Sequence, residues 1–321
     1  MVNSTANINS SPLVSVIIPA YKVAPFIGET LESVFEQDLK DFEVIVINDG
    51  SPDTHELEVS LERYKNRITY LKQPNQGAGS ARNAGLRAAQ GIYVAFLDGD
   101  DLWFPTFLSE QIRFLNSGDG FDLVYTDLEN FGESSFAGTT YMGLNPSKGE
   151  ATFETLITSQ CSVLTSTVLV RRDLILTVGL FDENIPNSQD FDLWVRLVRD
   201  AKAKIGYQHK VLGRRRLYKG SLASDPLKSL TGEITVLEKL SKRTDLSRSE
   251  KIIIHNVLTM REAAAHRIVG KRRLELGDYA AAYNSFESAN RVLNSWKLRL
   301  VMWGLRLAPN FTRLASRSRP H

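Results

Sequence analysis

The first hundred residues alternate between short apolar runs and amphipathic stretches. Residues 13–19 and 42–47 are nearly continuous runs of apolar residues, which is typical of strands buried on both faces of a parallel sheet. Between these runs, residues 24–37 carry apolar side chains at helical spacing, which predicts a helix and therefore a parallel strand–helix–strand crossover. A third strand is expected at 68–71.

The same alternation continues as far as residue 97. A glycine-rich turn at 77–85 opens a predicted helix that runs to Ala89, and Gly91 ends it. Residues 92–97 form the next predicted strand. These pieces predict an open α/β sheet whose strands end at one shared edge, which is where such sheets bind ligands.

The last third of the chain is predicted to be helical. The helices are expected at 229–242, 250–276 and 280–292, with a break at Gly277-Asp278. Residues 277–289 resemble the turn and second helix of a tetratricopeptide repeat. Only one repeat is visible, whereas stacked arrays need at least ~3, so a lone helical pair packing on the preceding domain is expected.

The domain organisation follows from these patterns. We expect a flexible N-terminus at 1–11, an α/β domain at 12–225 and an all-helical region at 226–321. With 321 residues, of which 42% are hydrophobic, the chain exceeds one typical domain and can bury a sizeable core.

An acidic cluster, Asp98-Gly99-Asp100-Asp101, directly follows the strand predicted at 92–97. Carboxylates at a strand end can hold Mg²⁺ or Mn²⁺ and bridge it to phosphate oxygens. The alternative is a simple turn followed by a helix cap, because Asp and Gly dominate turns.

The same sheet edge is predicted to carry Asp49, Asp53 and Arg82. A guanidinium and a helix N-terminus favour phosphate oxygens, and carboxylates accept hydrogen bonds from a base or ribose. A nucleoside diphosphate fits this set. The turn Gly77-Ala78-Gly79 is not the dinucleotide fingerprint, because position 82 is Arg.

The order and spacing of these segments resemble the family 2 glycosyltransferases, over roughly residues 12–225. Those enzymes have the GT-A fold, a mixed and mainly parallel sheet flanked by helices, and transfer a sugar from a nucleotide-sugar donor with inversion. The matching motifs lie at 14–21, 48–53, 77–85 and 98–101, and an acceptor-side motif lies at 187–197.

The resemblance implies roles for individual residues. A carboxylate must accept the proton of the acceptor hydroxyl, and by chemistry alone either Asp190 or Asp192 could do so. The resemblance places Asp190 as the catalytic base, although Gln189 stands where the family commonly has Glu. Asp98 and Asp100, the ends of an Asp-x-Asp motif, would hold the divalent metal. The nucleotide pocket would be lined by Pro19, Tyr21, Asp49, Arg82, Asp98, Gly99 and Asp100.

Two of these segments have simpler explanations. Residues 190–197 also fit an ordinary amphipathic helix with Asp190 as its N-cap. Residues 214–224 resemble a loop over the donor diphosphate but lack the usual Tyr-Arg-x-His order, so they also fit a solvated basic surface.

The expected function is metal-dependent, inverting transfer of a sugar to a hydroxyl group of a glycan or lipid-linked glycan, in cell-surface polysaccharide synthesis. One alternative is a nucleotidyltransferase, which normally has a basic glycine-rich loop after the first strand; this chain has Pro19-Ala20-Tyr21-Lys22 there. The other is an inactive scaffold that binds partners through its helical tail.

Charge is divided unevenly along the chain. Residues 227–321 hold 18 Lys or Arg and 8 Asp or Glu, a net charge of +10, whereas residues 1–226 carry −8.

From Arg291 onward there are seven cations, no acidic residue and two tryptophans, a composition that favours a membrane surface. The apolar segment 296–307 is shorter than the ~20 residues needed to span a bilayer. The alternative is a terminal helix packed on its own domain, with the stems of its cations snorkelling.

The remaining expectations concern location and partners. A single cysteine, Cys161, excludes an intramolecular disulfide and suits a reducing compartment. Its neighbours predict a core position in a strand. Residues 1–12 contain no apolar segment of signal-peptide type, so we expect a cytoplasmic protein, peripheral on the inner face of the plasma membrane. Nucleic-acid binding is not expected, because no recognised module accompanies the basic tail.

Overall fold

The computed structural model describes residues 11–145, 147–218 and 225–309. The chain forms two compact units, which divide after residue 221, four residues before the predicted boundary. Among the described residues, none of the helices combines the length and the apolar composition needed to cross a membrane.

The N-terminal unit is built on one eight-stranded sheet in the order β3-β2-β1-β4-β7-β6-β8-β5. The strands are β1 Val14–Ala20, β2 Phe42–Asp49, β3 Thr69–Gln73, β4 Tyr93–Phe96, β5 Leu102–Trp103, β6 Leu123–Gly132, β7 Val168–Arg171 and β8 Ile205–Leu217. Strands β1 to β4 are mutually parallel, and β7 is antiparallel to both β4 and β6. The predicted mixed, mainly parallel sheet is confirmed.

Helices flank this sheet on both faces. They are α1 Ile27–Phe35, α2 Thr54–Leu61, α3 Ala78–Ala88, α4 Phe107–Leu115, α5 Tyr141–Leu144, α6 Phe153–Ile157, α7 Arg172–Val178 and α8 Gln189–Arg199. Alternate residues of β1, such as Val16 and Ile18, share one core with α1, α2 and α4. Ile17 points to the opposite face, where α3 lies. A Cβ on Gly85 would come within 2.6 Å of Ile17 Cγ2, so glycine allows α3 to pack closely on the sheet.

Two local predictions are wrong. Cys161 is buried, but no strand forms around it; the chain turns there, and β7 begins only at Val168. Residues 214–217 are not a loop, because they form the end of β8 and pair with β6 at 129–132. The rest of that segment, 219–224, and the N-terminal residues 1–10 lie outside the described residues.

The C-terminal unit is helical, as predicted. Its helices are α9 Pro226–Ser241, α10 Arg248–Leu276, α11 Tyr279–Leu293 and α12 Trp296–Leu307. Gly277 ends α10 with a φ of 86°, and Asp278 caps α11 by accepting a hydrogen bond from the Ala281 N–H. Phe286 packs on Gly270, so α10 and α11 form a closely packed helical pair.

Candidate active site

The acidic turn follows β4 directly. The Asp101 N–H donates to the Asp98 carbonyl oxygen at 3.0 Å and closes the turn. A Cβ on Gly99 would lie 2.9 Å from Val23 Cγ2 and 3.1 Å from the Pro19 carbonyl oxygen. The turn therefore lies close against the end of β1, and the absence of a side chain at Gly99 permits that approach.

The three carboxylates of this turn have different environments. The Asp98 side chain is 38% exposed, whereas Asp101 is 3% exposed. Burial and the negative charge of Asp98 raise the pKa of Asp100 to about 6, partly offset by a hydrogen bond from the Tyr218 hydroxyl. Burial also raises the pKa of Asp101 well above its usual range. The turn thus concentrates negative charge in a site that is partly shielded from water.

Arg216, on β8, holds this turn from the opposite side. Its backbone N–H donates to Asp101 Oδ1 at 2.9 Å, and its Nε donates to the Asp100 carbonyl oxygen at 3.0 Å. Its guanidinium also donates to Glu29 Oε2 at 2.7 Å. Arg216 is therefore committed to contacts within the protein.

Arg82 lies on the first turns of α3 and faces the acidic cluster. Its Nη2 donates to Asp98 Oδ1 at 2.6 Å, and the residue is only 7% exposed. Its Nε is buried without a hydrogen-bond partner. Arg82 is therefore held beside the acidic turn in a largely buried position.

Asp49, at the end of β2, is 2% exposed and accepts three hydrogen bonds. The donors are Gln73 Nε2 at 2.8 Å, the Gln76 N–H at 3.0 Å and the Gly77 N–H at 2.8 Å. Asp49 therefore fixes the loop that leads into α3, a contact that the sequence did not reveal. Its predicted contact with the base or ribose stays a prediction.

The other predicted lining residues lie at the end of β1. Pro19 pairs with Ile47 of β2 in the sheet, and Tyr21 follows the strand with 43% of its surface exposed. Asp53, which was also predicted to lie at this edge of the sheet, accepts a hydrogen bond from the Ala24 N–H at 3.0 Å. Asp53 thus joins the turn after β2 to the turn after β1.

Asp190 lies in the first turn of α8. Its Oδ2 accepts a hydrogen bond from the Thr165 hydroxyl at 2.8 Å, and its Oδ1 accepts one from the Phe191 N–H at 2.9 Å. The next residue after Thr165, Ser166, accepts from the Asp98 N–H at 3.2 Å. One short 3-10 helix, Thr165–Thr167, therefore contacts both Asp190 and the acidic turn.

The nearby Asp192 has no exposed side-chain surface and binds Arg196 Nε at 2.7 Å. It is therefore a structural residue, whereas Asp190 is partly exposed. Gln189 packs against α3, because its Cγ would lie 3.1 Å from a Cβ on Gly79. The N-termini of α3 and α8 are thus in direct contact.

The described residues contain no group of three or more His, Cys, Asp or Glu side chains arranged to hold a metal ion. This does not conflict with the predicted pair Asp98 and Asp100. Mg²⁺ is commonly bound by one or two carboxylates together with water and phosphate oxygens. Two mutually repelling carboxylates therefore fit a cation that binds together with a diphosphate.

The sequence analysis missed two residues of this site, Thr165 and Ser166, which lie at least 64 positions from the turn at 98–101 and carry common polar side chains. Arg216 and Tyr218 belong to the segment 214–224, which was expected over the donor diphosphate and not against the acidic turn. The basic run at 214–216 was a visible signal, but its register in a strand was not.

The solved structures and the curated relatives agree on the class of protein. A mannosyltransferase from Pyrobaculum calidifontis, solved with GDP-Man and Mn²⁺, superimposes with a TM-score of 0.62 at 20% identity, covering 96% of this chain and 84% of that one. The fold is the GT-A fold of nucleotide-sugar transferases.

The sequence comparisons give the family. The model of glycosyl transferase family 2 matches residues 15–171. An uncharacterized glycosyltransferase of Rickettsia prowazekii is 29% identical, covering 94% of this chain and 88% of the relative. The Escherichia coli UDP-Glc:alpha-D-GlcNAc-diphosphoundecaprenol beta-1,3-glucosyltransferase WfaP is 30% identical, covering 71% and 86%. The chain belongs to glycosyltransferase family 2.

Proposed function

We propose that this glycosyltransferase moves a sugar, with inversion, from a nucleoside-diphosphate sugar to a hydroxyl group of a glycan or lipid-linked glycan during synthesis of a cell-surface polysaccharide. The observation that carries the proposal is the contact of one short helix, Thr165–Thr167, with both Asp190 and the acidic turn. The proposed proton acceptor is thereby linked to the turn that carries the proposed diphosphate-binding groups.

Direct displacement at the anomeric carbon needs a base on the acceptor side. An acceptor hydroxyl is a poor nucleophile, so a carboxylate within hydrogen-bond reach takes its proton as the glycosidic bond forms. Asp190 is the proposed base. The hydrogen bonds from Thr165 and Phe191 fix the orientation of its carboxylate, which keeps a reactive geometry in place before the acceptor arrives.

The donor side must stabilise the departing diphosphate, which acquires negative charge. Arg82 is proposed for this task because its guanidinium lies beside Asp98 in the acidic turn. Asp98 and Asp100 would hold Mg²⁺ or Mn²⁺, which supplies charge stabilisation to the diphosphate when bound. Pro19, Tyr21, Asp49 and Gly99 are the proposed neighbours of the nucleotide.

The named substrates of similar proteins support this proposal. WfaP is named for transfer from UDP-Glc to a sugar on diphosphoundecaprenol, and the Pyrobaculum enzyme was solved with GDP-Man and Mn²⁺. Family membership also favours sugar transfer over the nucleotidyltransferase and scaffold alternatives.

Calorimetry of nucleotide binding and assays of sugar transfer distinguish the metal-binding role proposed for Asp98 and Asp100 from the base role proposed for Asp190. UDP and GDP are titrated with and without Mn²⁺, and transfer is assayed with nucleotide sugars and a diphosphoundecaprenol-linked GlcNAc acceptor. Asp98→Ala and Asp100→Ala should abolish transfer and remove the Mn²⁺-dependent part of nucleotide binding. Asp190→Asn should slow transfer by about 10²- to 10⁴-fold and leave nucleotide binding nearly unchanged.

Asp119→Asn is the matched control, because Asp119 is exposed and its carboxylate accepts a hydrogen bond from the nearby Ser117 hydroxyl. It should behave as wild type. Equal nucleotide affinity with and without Mn²⁺ would contradict the metal site, and full transfer by Asp190→Asn would contradict the base.

A further inference from the structure

Helix α12 carries apolar residues on two opposite sides. On one side, Leu298 and Leu305 are buried in a cluster with Leu274, Phe286 and Ala289. The other side is exposed and consists of Trp296, Leu300, Trp303 and Leu307, whose exposed fractions are 64%, 56%, 65% and 64%. We call these four residues the outer stripe.

The outer stripe is continuous along the helix. Its members are spaced by four, three and four residues, so at 3.6 residues per turn they lie within an arc of about 60°. Leu298 and Leu305 lie about 180° away. Packing of α12 within its own unit therefore uses one side of the helix and leaves four large apolar residues in water. Large exposed apolar patches of this kind mark interaction sites.

Cations border the outer stripe on both sides. Arg299 and Arg306 lie along one border, and Lys297 lies along the other. Arg299 is held by a 2.6 Å hydrogen bond to Asn294 Oδ1, and the Arg306 guanidinium lies 4.8 Å from the centre of the Tyr283 ring. If α12 had only one apolar side, the positions of these cations around the helix would be irregular. With two opposite apolar sides, the cations lie between them.

The geometry points to an anionic lipid bilayer as the partner of the outer stripe. We infer that α12 lies in the membrane–water interface, with Trp296 and Trp303 among the headgroups and Leu300 and Leu307 against the acyl boundary. Tryptophan favours this interface, and basic residues beside an apolar stripe attract anionic lipids. At ~1.5 Å per residue the helix is about 18 Å long, too short to span the bilayer.

Charge argues against a second copy of the chain as the partner. Two outer stripes paired by a twofold axis would bring the bordering cations of both copies together. Residues 288–321 contain no acidic side chain that could neutralise them, and like charges at an interface oppose association. Anionic headgroups supply the missing negative charge.

Tryptophan fluorescence tests this inference with the full chain. The protein has four tryptophans, and Trp103 and Trp194 are buried, at 3% and 1% exposure, so a change on adding vesicles reports on Trp296 and Trp303. Vesicles of phosphatidylcholine with roughly one third phosphatidylglycerol should shift the emission to the blue and co-sediment the protein. The double variant Leu300→Ser/Trp303→Ser should lower the bound fraction at least about tenfold.

The matched control is Ile252→Ser/Leu276→Ser, which removes two exposed apolar residues of α10, at 51% and 82% exposure. It should bind vesicles as wild type does, and circular dichroism should show intact helices in all variants. Equal losses in the two double variants, or no binding of wild type to the anionic vesicles, would overturn the inference.

Light scattering without lipid tests whether a second copy of the chain is the partner of the outer stripe instead. A dimer that the outer-stripe variant converts to monomer, together with absent vesicle binding, would assign the stripe to self-association and overturn the inference. Asp98→Ala should bind vesicles normally, so failure of the catalytic proposal and failure of membrane docking give different results.

Discussion

At the residue scale, the acidic turn shows how neighbours in sequence acquire different roles. Asp98 keeps an exposed side chain that bonds Arg82, whereas Asp101 is buried and accepts the Arg216 N–H. Asp100 lies between them, with its ionisation opposed by burial and by Asp98. The turn therefore combines the buried carboxyl of Asp101, which anchors it to β8, with two carboxyls that are the proposed metal ligands.

This arrangement predicts that metal binding depends on pH. Since the raised pKa of Asp100, about 6, belongs to the metal-free protein, the carboxyl is mainly protonated below that pH and must lose a proton to bind Mn²⁺. Mn²⁺ affinity, measured without nucleotide by electron paramagnetic resonance of the free ion, should rise about tenfold per pH unit below pH 6 and level off above it.

Asp100→Asn provides the comparison for this titration. The variant should bind Mn²⁺ more weakly and lose most of the slope between pH 5 and 6. An unchanged slope in the variant would show that another group controls the pH dependence.

A residue of the site could be predicted when the pattern that reveals it lies close to it along the chain. Asp98, Asp100 and Asp190 stand next to recognisable apolar patterns, so strand and helix periodicity locate them. Thr165 reaches Asp190, and Ser166 reaches the acidic turn, only through the tertiary fold. No local pattern records such a contact.

At the element scale, the parallel half of the sheet was predictable and the other half was not. Strands β1, β2 and β4 are short apolar runs buried on both faces, and the structure has them within one or two residues of the expected bounds. Strands β6 and β8 mix polar and apolar residues, and their pairing shifts register twice. Such irregular strands take their form from their partners rather than from local preference.

The short helix Thr165–Thr167 gives a prediction at this scale, because it connects α8 to the acidic turn. Thr165→Val keeps the shape of the buried side chain and removes the hydrogen bond to Asp190. The base should lose its fixed orientation. A net hydrogen bond of ~1 kcal/mol corresponds to a fall in kcat of roughly 5- to 10-fold, with nucleotide affinity by calorimetry unchanged.

Thr165→Ser retains the hydroxyl and should restore most of the lost turnover. If the serine variant is as slow as the valine variant, packing rather than the hydrogen bond accounts for the effect. Loss of nucleotide affinity in either variant would show that the helix supports the donor side instead.

At the scale of the whole molecule, charge is divided unevenly along the chain. The residues before 227 carry −8, and those from 227 onward carry +10. An anionic surface repels the first set and attracts the second, so its electrostatic attraction has to come from the helical region. The periodicity of the sequence predicted that region's helices, but the opposite apolar sides of α12 depend on how it packs on its neighbours.

The two components of the proposed membrane contact should respond differently to salt. Screening lengths fall from about 14 Å at 0.05 M to about 4 Å at 0.5 M ionic strength, so attraction of the cations to anionic headgroups should weaken over this range. Burial of the outer stripe should persist. Binding to vesicles containing phosphatidylglycerol should therefore fall steeply with salt, toward the weak, salt-insensitive level measured on pure phosphatidylcholine. Salt-independent binding to both vesicle types would mean that the cations contribute little and that the outer stripe acts alone.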